Sequence, residues 1–110
     1  MVCIVYNGKS KEILYAIIRL CGNSKLHNVY IRRWGSRNTL KGSKIVSMIK
    51  DTDFNTYIRL MVILGCSDDS CLSKSITQFI IRNFKSLHGE VYKLGDICNA
   101  IQNTVILEYE

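Results

Sequence analysis

The chain has no proline, and none of its apolar runs approaches the roughly 18 residues of a membrane-spanning helix. The missing proline favours regular elements joined by short turns, without a linker between domains. With 110 residues, 47% of them hydrophobic and 22% charged, the sequence predicts one globular domain over residues 1–110. No basic leader precedes the apolar run Val2–Tyr6, so we expect a cytoplasmic protein without a membrane partner.

Residue types that build metal and catalytic centres are scarce as well. Histidine occurs only at His27 and His88, and no paired CxxC is present, which argues against a structural zinc site. Neither histidine has an evident serine, cysteine or carboxylate partner for nucleophilic catalysis. The phosphate-binding patterns GxxxxGK[ST] and GxGxxG are also absent. No motif of the chain therefore identifies an enzyme by itself.

Five cysteines are spread along the chain without a metal-binding spacing. Cys3 falls in a predicted strand and Cys21 near a predicted helix end, so we expect both to be small core residues. Cys66 and Cys71 flank the turn in the middle of the chain and are either a disulfide pair or free thiols. Free thiols are the favoured interpretation, because disulfides are rare inside cells outside hyperthermophiles.

Acidic residues are nearly absent from the first half of the chain. Residues 1–50 contain ten lysines and arginines against one acid, Glu12, although the net charge of the whole chain is +6. Such a basic half predicts a surface that binds an anion, most often DNA or RNA, and the alternative is a solvated surface without a ligand. The candidate phosphate contacts, with one tryptophan that either stacks a base or lies in the core, are Lys9, Lys11, Arg32, Arg33, Trp34, Arg37, Lys41 and Lys44.

The central stretch YIRLMVILGCSDDS, from Tyr57 to Ser70, organises the predicted fold. Its apolar run is typical of a strand buried on both faces, followed by a helix over 71–87. Helices are predicted over 11–21 and 39–50, with a short helical turn over 96–100. Further strands are predicted over 2–6, 27–34, 90–94 and 104–110. This alternation predicts a three-layer, Rossmann-like α/β domain with a mainly parallel sheet of about five strands.

Two turns at the ends of predicted strands are candidate ligand sites. Asn7 and Gly8 precede the first helix, and Gly65 and Ser67 follow the central strand. Asp68 and Asp69 continue the second turn and either hold Mg²⁺ or cap the next helix. A cleft between these strand ends would suit a small nucleotide.

With these turns in place, the layout resembles the topoisomerase–primase (TOPRIM) domain. Val2–Tyr6 followed by Asn7-Gly8-Lys9 is similar to the family's first motif, Tyr30–Gly35 to its second, and Val62–Leu64 followed by Gly65-Cys66-Ser67-Asp68 to its third. The resemblance implies Mg²⁺-dependent nuclease or nucleotidyl-transfer chemistry. This chain departs from the family because Asn7 stands where the family has glutamate and Cys66 where it has its first aspartate.

These departures favour a nucleic-acid-binding domain that is non-catalytic or only weakly Mg²⁺-dependent. One alternative is a regulatory module that binds a small nucleotide or cyclic oligonucleotide in the strand-end cleft. The other is a protein-interaction subunit, such as a homodimer, in which the strand over 104–110 offers a free edge.

Overall fold

The computed structural model describes residues 2–6, 8–34, 39–40, 42–84 and 91–108. The helices are α1 (Gly8–Cys21), a 3₁₀ helix (Ser24–Asn28), α2 (Gly42–Thr52), α3 (Phe54–Ile63), α4 (Asp69–Asn83) and α5 (Leu94–Gln102). The strands are β1 (Val2–Tyr6), β2 (Tyr30–Trp34), β3 (Thr39–Leu40), β4 (Val91–Lys93) and β5 (Thr104–Glu108). None of the helices in these ranges is long and apolar enough to span a membrane.

The five strands form two small sheets, so the predicted Rossmann-like fold with one mainly parallel sheet is wrong. β1 pairs in parallel with β5, with Val2 opposite Thr104. The other sheet is antiparallel throughout, with β2 between β3 and β4. The domain is therefore mainly helical, since the segment expected to form the centre of the sheet is itself a helix.

That central segment is α3, and the predicted strand over 57–64 is wrong for a local reason. Asp53 caps the helix, because its Oδ1 accepts a hydrogen bond from the Thr56 backbone N–H at 3.1 Å. Tyr57 and Leu60 are buried three positions apart, on one helical face. An apolar run alone suits a buried strand and a helix equally, and here the cap starts a helix at Phe54, ahead of the apolar run.

Gly65 ends α3 and does not follow a strand. Its φ is +66°, a left-handed conformation that glycine adopts without a steric penalty. The Gly65 N–H donates to the Val62 carbonyl at 3.2 Å, and the Cys66 N–H donates to the Met61 carbonyl at 2.9 Å. This is a Schellman motif, which satisfies the last carbonyls of a helix. The predicted strand-to-helix turn is thus a helix-to-helix turn.

Several other elements agree with the sequence, within shifted bounds. The strand Val2–Tyr6 is confirmed, and α1 starts at Gly8, ahead of the predicted residue 11. The segment predicted as one strand over 27–34 contains the end of the 3₁₀ helix and then β2. The segment predicted as one helix over 39–50 contains β3 and the start of α2.

The core lies among the helices and follows their 3.6-residue period. In α1, α2 and α4, and directly after α4, the residues with at most 2% exposure are Leu14, Ile17, Ile45, Val46, Ile49, Leu72, Ile76, Ile80 and Phe84. β2 contributes Ile31, and α5 contributes Leu94 and Ile97.

Four of the five cysteines form disulfides. Cys21 at the end of α1 is bonded to Cys98 in α5, with their Cα atoms 5.6 Å apart. Cys66 is bonded to Cys71 across the start of α4, with their Cα atoms 5.5 Å apart. Cys21 therefore cross-links two helices and is not merely the small core residue that the sequence predicted. The pairing of Cys66 with Cys71 is the less favoured of the two sequence interpretations.

Candidate nucleic-acid interface

Tyr30 begins the middle strand of the antiparallel sheet and presents its ring to solvent. The side chain is 61% exposed, whereas that of the next residue, Ile31, is 1% exposed and belongs to the core. Successive side chains of a strand point to opposite faces, so Tyr30 lies on the outer face of the sheet. Lys93 is the partner of Tyr30 across the β2–β4 ladder, and its ammonium lies 5.7 Å from the ring centroid.

The backbone around this pair is fixed from several sides. The Leu94 N–H donates to the Val29 carbonyl at 2.9 Å, which links the segment before β2 to the start of α5. The Asp96 carboxylate accepts the Lys93 N–H at 2.9 Å and so holds the first turn of α5. Behind them, His27 Nε2 lies 2.7 Å from the carbonyl oxygen of Cys21, whose sulfur is bonded to α5. A site on such cross-linked elements keeps its geometry.

The predicted arginine cluster continues from Tyr30 along the same strand. Arg32, Arg33 and Trp34 lie in β2, and the Cα partners of the last two are Leu40 and Thr39 in β3. Only the backbone of these three residues is described, so their predicted contacts stay predictions. Arg37 and Lys41 lie outside the described residues altogether.

The remaining predicted basic contacts lie on helices. Lys9 is exposed in the first turn of α1, and Lys11 follows it with its ammonium 5.8 Å from the ring centroid of Tyr15. Lys44 is exposed in the first turn of α2 and has no acidic partner within the described ranges. The structure thus distributes the predicted basic residues over the sheet and two helices.

The two predicted ligand turns do not form one strand-end cleft. Gly8 is the first residue of α1, and Asn7 lies outside the described residues. Gly65 and Ser67 lie in the turn between α3 and α4, with Ser67 exposed to solvent. The predicted nucleotide cleft depends on a central strand over 57–64. That segment is helical, so the two turns do not lie at one edge of a sheet.

Asp68 and Asp69 both take part in hydrogen bonds within the protein. Asp68 caps α4, because its Oδ1 accepts the Cys71 N–H at 2.8 Å. Asp69 accepts a hydrogen bond from the Tyr57 hydroxyl and another from the Lys50 ammonium at 3.4 Å. No group of three or more metal-ligating side chains comes together in the part of the chain that the structure describes. Binding of Mg²⁺ at these aspartates stays a prediction.

The hydrogen bond between Tyr57 and Asp69 sets the titration of both groups. Donation from the Tyr57 hydroxyl, aided by Lys50, lowers the pKa of the Asp69 carboxyl below its usual value. The same hydrogen bond, together with desolvation, raises the pKa of the Tyr57 phenol. Asp53 belongs to a separate network. Hydrogen bonds to its carboxylate from the Thr56 hydroxyl, the Thr56 N–H and then Arg19 lower its pKa.

Replacing Tyr57 with phenylalanine is expected to raise the pKa of Asp69 towards its usual value. The folded-state pKa of Asp69 is depressed, so its stabilising contribution is present above its unfolded value and is lost as the pH falls through the folded one. Tyr57→Phe should therefore reduce the stability that the protein loses as the pH falls through the folded-state pKa of Asp69. Carbon NMR titration of the carboxyl groups measures the change, and Asp53 serves as the internal control because its donors are untouched. An unchanged Asp69 pKa would show that Tyr57 is not its main donor.

A cavity of about 410 Å³ is lined by residues of α1, α2 and α3 and can be compared with the predicted nucleotide cleft. Arg19 lines this cavity, makes an ion pair with Asp53 at 2.8 Å and donates to Thr56 Oγ1 at 2.9 Å. An anionic nucleotide would have to compete with Asp53 for this guanidinium. The cavity therefore gives the regulatory-module alternative no specific support.

Sequence reasoning missed Tyr30 and Lys93 as site residues. A signal existed for Tyr30, because it adjoins the apolar Ile31 in the predicted strand over 27–34, and successive side chains of a strand face opposite sides. For Lys93 the sequence held no signal, since its position over the ring depends on pairing between β2 and β4.

Comparisons of the chain with protein-family models, with curated proteins and with solved structures find no match. They therefore do not test the TOPRIM resemblance. The structure does show that the segment compared with the family's third strand, Val62–Leu64, ends a helix.

Proposed function

We propose that this domain binds single-stranded nucleic acid on the outer face of its antiparallel sheet. The observation that carries the proposal is the Tyr30 ring, which is 61% exposed on a strand and has the Lys93 ammonium beside it. Aromatic side chains on a rigid surface stack bases of any sequence, and neighbouring cations contact the backbone phosphates. The proposal leaves the choice between DNA and RNA to experiment.

The charge of the chain supports the same function. The net charge is +6, and Arg32 follows Tyr30 two positions along the same strand. Lys25 is exposed in the 3₁₀ helix just before the strand. A basic surface of this kind raises the local concentration of nucleic acid and makes affinity depend on salt.

Replacing Tyr30 with alanine is expected to weaken binding of a short single strand by roughly 5- to 150-fold, since stacking contributes roughly 1–3 kcal/mol per base. Fluorescence anisotropy with labelled DNA and RNA oligonucleotides at low salt measures the change. Tyr30→Phe is the matched control, because it keeps the ring and removes only the hydroxyl. Equal affinities for Tyr30→Ala and the wild type would contradict the proposal.

A salt series separates phosphate contacts from stacking. Lys93→Gln is expected to flatten the dependence of log affinity on log salt by about 0.7, the value for one phosphate of a single strand. Tyr30→Ala should lower affinity and leave this slope unchanged. If the wild-type affinity is insensitive to salt, the basic surface does not contact phosphates.

A cytoplasmic location is part of the proposal. The disulfide between Cys21 and Cys98 argues against a reducing cytoplasm, because disulfides persist in oxidising compartments and inside hyperthermophiles. Acid-quenched alkylation of the protein in its cells reports the state of these thiols. Free thiols at all five cysteines would fit a reducing cytoplasm, and alkylation-resistant Cys21 and Cys98 would fit the other settings.

A further inference from the structure

The cavity of about 410 Å³ between α1, α2 and α3 combines a buried apolar wall with two opposite charges. The apolar wall consists of Ala16, Leu20 and Ile49, which are all buried. Among the residues that the structure describes, only Arg19 and Asp53 contribute charges to the lining. Small-molecule sites have the same character, since they are apolar clefts of roughly 300–1,000 Å³ with a few convergent polar groups. We call this space the Arg19 cavity.

The negative charge of the Arg19 cavity is fixed in position, because Asp53 caps α3. Its Oδ2 accepts a hydrogen bond from the Thr56 hydroxyl at 2.7 Å, and its Oδ1 accepts one from the Thr56 N–H at 3.1 Å. These two bonds hold the pKa of the Asp53 carboxyl below its usual value, so the group is ionised at neutral pH. Each carboxylate oxygen can accept about two hydrogen bonds, so Oδ1 retains the capacity to accept a second one.

The positive charge is oriented through one nitrogen of the guanidinium group. Arg19 Nη1 donates to Asp53 Oδ2 at 2.8 Å and to Thr56 Oγ1 at 2.9 Å. Within the described part of the chain, Nε and Nη2 of Arg19 donate to no protein acceptor. Nε and Nη2 form one edge of the guanidinium group, and such an edge binds a carboxylate through two parallel hydrogen bonds. Asp53 and Thr56 thus hold Arg19 in a position that leaves this edge for a ligand.

Two opposite charges this close together select against a ligand that carries only one sign. A purely anionic ligand at Arg19 is repelled by the Asp53 carboxylate, and a purely cationic ligand at Asp53 is repelled by the guanidinium group. A ligand with a carboxylate beside an ammonium group presents the opposite charge to each partner. An α-amino acid has this arrangement, because one carbon atom carries both groups.

We infer that the Arg19 cavity binds a free α-amino acid with an aliphatic side chain. Its carboxylate accepts hydrogen bonds from Nε and Nη2 of Arg19, and its ammonium group donates to Asp53. Its side chain packs against the apolar wall of Ala16, Leu20 and Ile49. The inference does not depend on the proposed nucleic-acid function, because the two sites have no residue in common.

Titration of the isotope-labelled full chain with amino acids, followed by its backbone amide NMR signals, tests the inference. The probes are L-alanine, L-valine and L-leucine at concentrations up to about 10 mM. We expect saturable shifts at the amides of Leu20, Gly22 and Thr56, which line the Arg19 cavity. L-leucine should bind more tightly than L-alanine, because its side chain covers more of the apolar wall.

Two analogues of L-leucine and three variants of the protein supply the controls. 4-Methylpentanoate lacks the ammonium group and 3-methylbutylamine lacks the carboxylate, so each should bind roughly 10- to 150-fold more weakly, the range for a hydrogen bond to a charged group. Arg19→Gln and Asp53→Asn should weaken binding of L-leucine by a similar factor, and asparagine still caps α3. Arg59→Gln should bind like the wild type, because it breaks the ion pair with Glu12, which lies between the same two helices but outside the Arg19 cavity.

Circular dichroism of each variant confirms that the fold is retained. The absence of saturable shifts with all three amino acids would overturn the inference. Binding of 4-methylpentanoate as tight as that of L-leucine would also overturn it, since the cavity would then recognise a carboxylate alone. Unchanged binding of L-leucine by folded Arg19→Gln and Asp53→Asn would place the amino acid elsewhere on the protein.

Discussion

Removing the Cys21–Cys98 disulfide is expected to lower the free energy of unfolding by about 4 kcal/mol. The two cysteines are 77 residues apart in sequence, so the bond closes a loop that contains most of the chain. In the chain-entropy description, a cross-link stabilises by restricting the unfolded chain, and the effect grows with the loop. Cys98 is also buried, so its replacement removes core contacts as well.

Chemical denaturation of the double variant Cys21→Ala/Cys98→Ala measures this loss. The matched control is Cys66→Ala/Cys71→Ala, whose bond spans five residues and is expected to contribute about 2 kcal/mol. Reductant breaks both bonds at once, so it should lower the stability of the wild type by about the sum of the two loop-closure effects. If the two double variants lose equal stability, loop closure is not what the Cys21–Cys98 bond contributes.

The same bond supports the proposed binding face. It holds the end of α1 against α5, and α5 follows directly from Lys93. The Tyr30–Lys93 pair therefore depends on the placement of α5 against β2. We expect Cys21→Ala/Cys98→Ala to weaken nucleic-acid binding less than Tyr30→Ala does, because the Val29–Leu94 hydrogen bond still joins the two elements.

Replacing Gly42 with alanine is expected to destabilise the fold by about 2 kcal/mol, within the range for overpacked sites. Gly42 is buried at the start of α2, where it contacts α4. A Cβ atom there would press against Thr77 Oγ1 and lie 2.6 Å from the Ser73 carbonyl oxygen. The hydroxyl can rotate away, but the carbonyl belongs to the helix backbone, so the two helices must separate.

Gly8→Ala is the matched control for Gly42→Ala. Gly8 is also the first residue of a helix, and a Cβ atom at that position meets nothing within 4 Å. Gly8→Ala should leave the midpoint of thermal unfolding unchanged or raise it slightly, since alanine is the better helix former. A loss for Gly42→Ala no larger than that for Gly8→Ala would refute the close-packing explanation.

The helical faces of the domain could be predicted because their signals are local. Leu14 and Ile17 in α1, and Ile45 and Ile49 in α2, recur with the helical period, and all four are buried. The sequence allowed two roles for Asp68, Mg²⁺ binding or capping of the next helix. In the structure Asp68 caps α4. Each signal involves residues within about one helical turn, which a sequence displays directly.

The fold class was predicted wrongly because one segment was ambiguous and the whole topology depended on it. The apolar run over 57–64 satisfies the pattern of a buried strand, and only its partners decide between strand and helix. Ile58 and Val62 were expected in a sheet interior, and they lie on the surface of α3. Without a central strand, no large parallel sheet can form.

The sequence alone determined that this chain has a basic first half, amphipathic helices and a strand over Val2–Tyr6. The tertiary structure decided which strands pair, that Cys21 meets Cys98, that Lys93 lies beside Tyr30, and that α3 presents its apolar row to solvent. The physical reason is the separation along the chain of the residues that interact. Periodicity and capping act between neighbours along the chain, whereas disulfides, strand pairing and exposure depend on residues brought together only when the chain has folded.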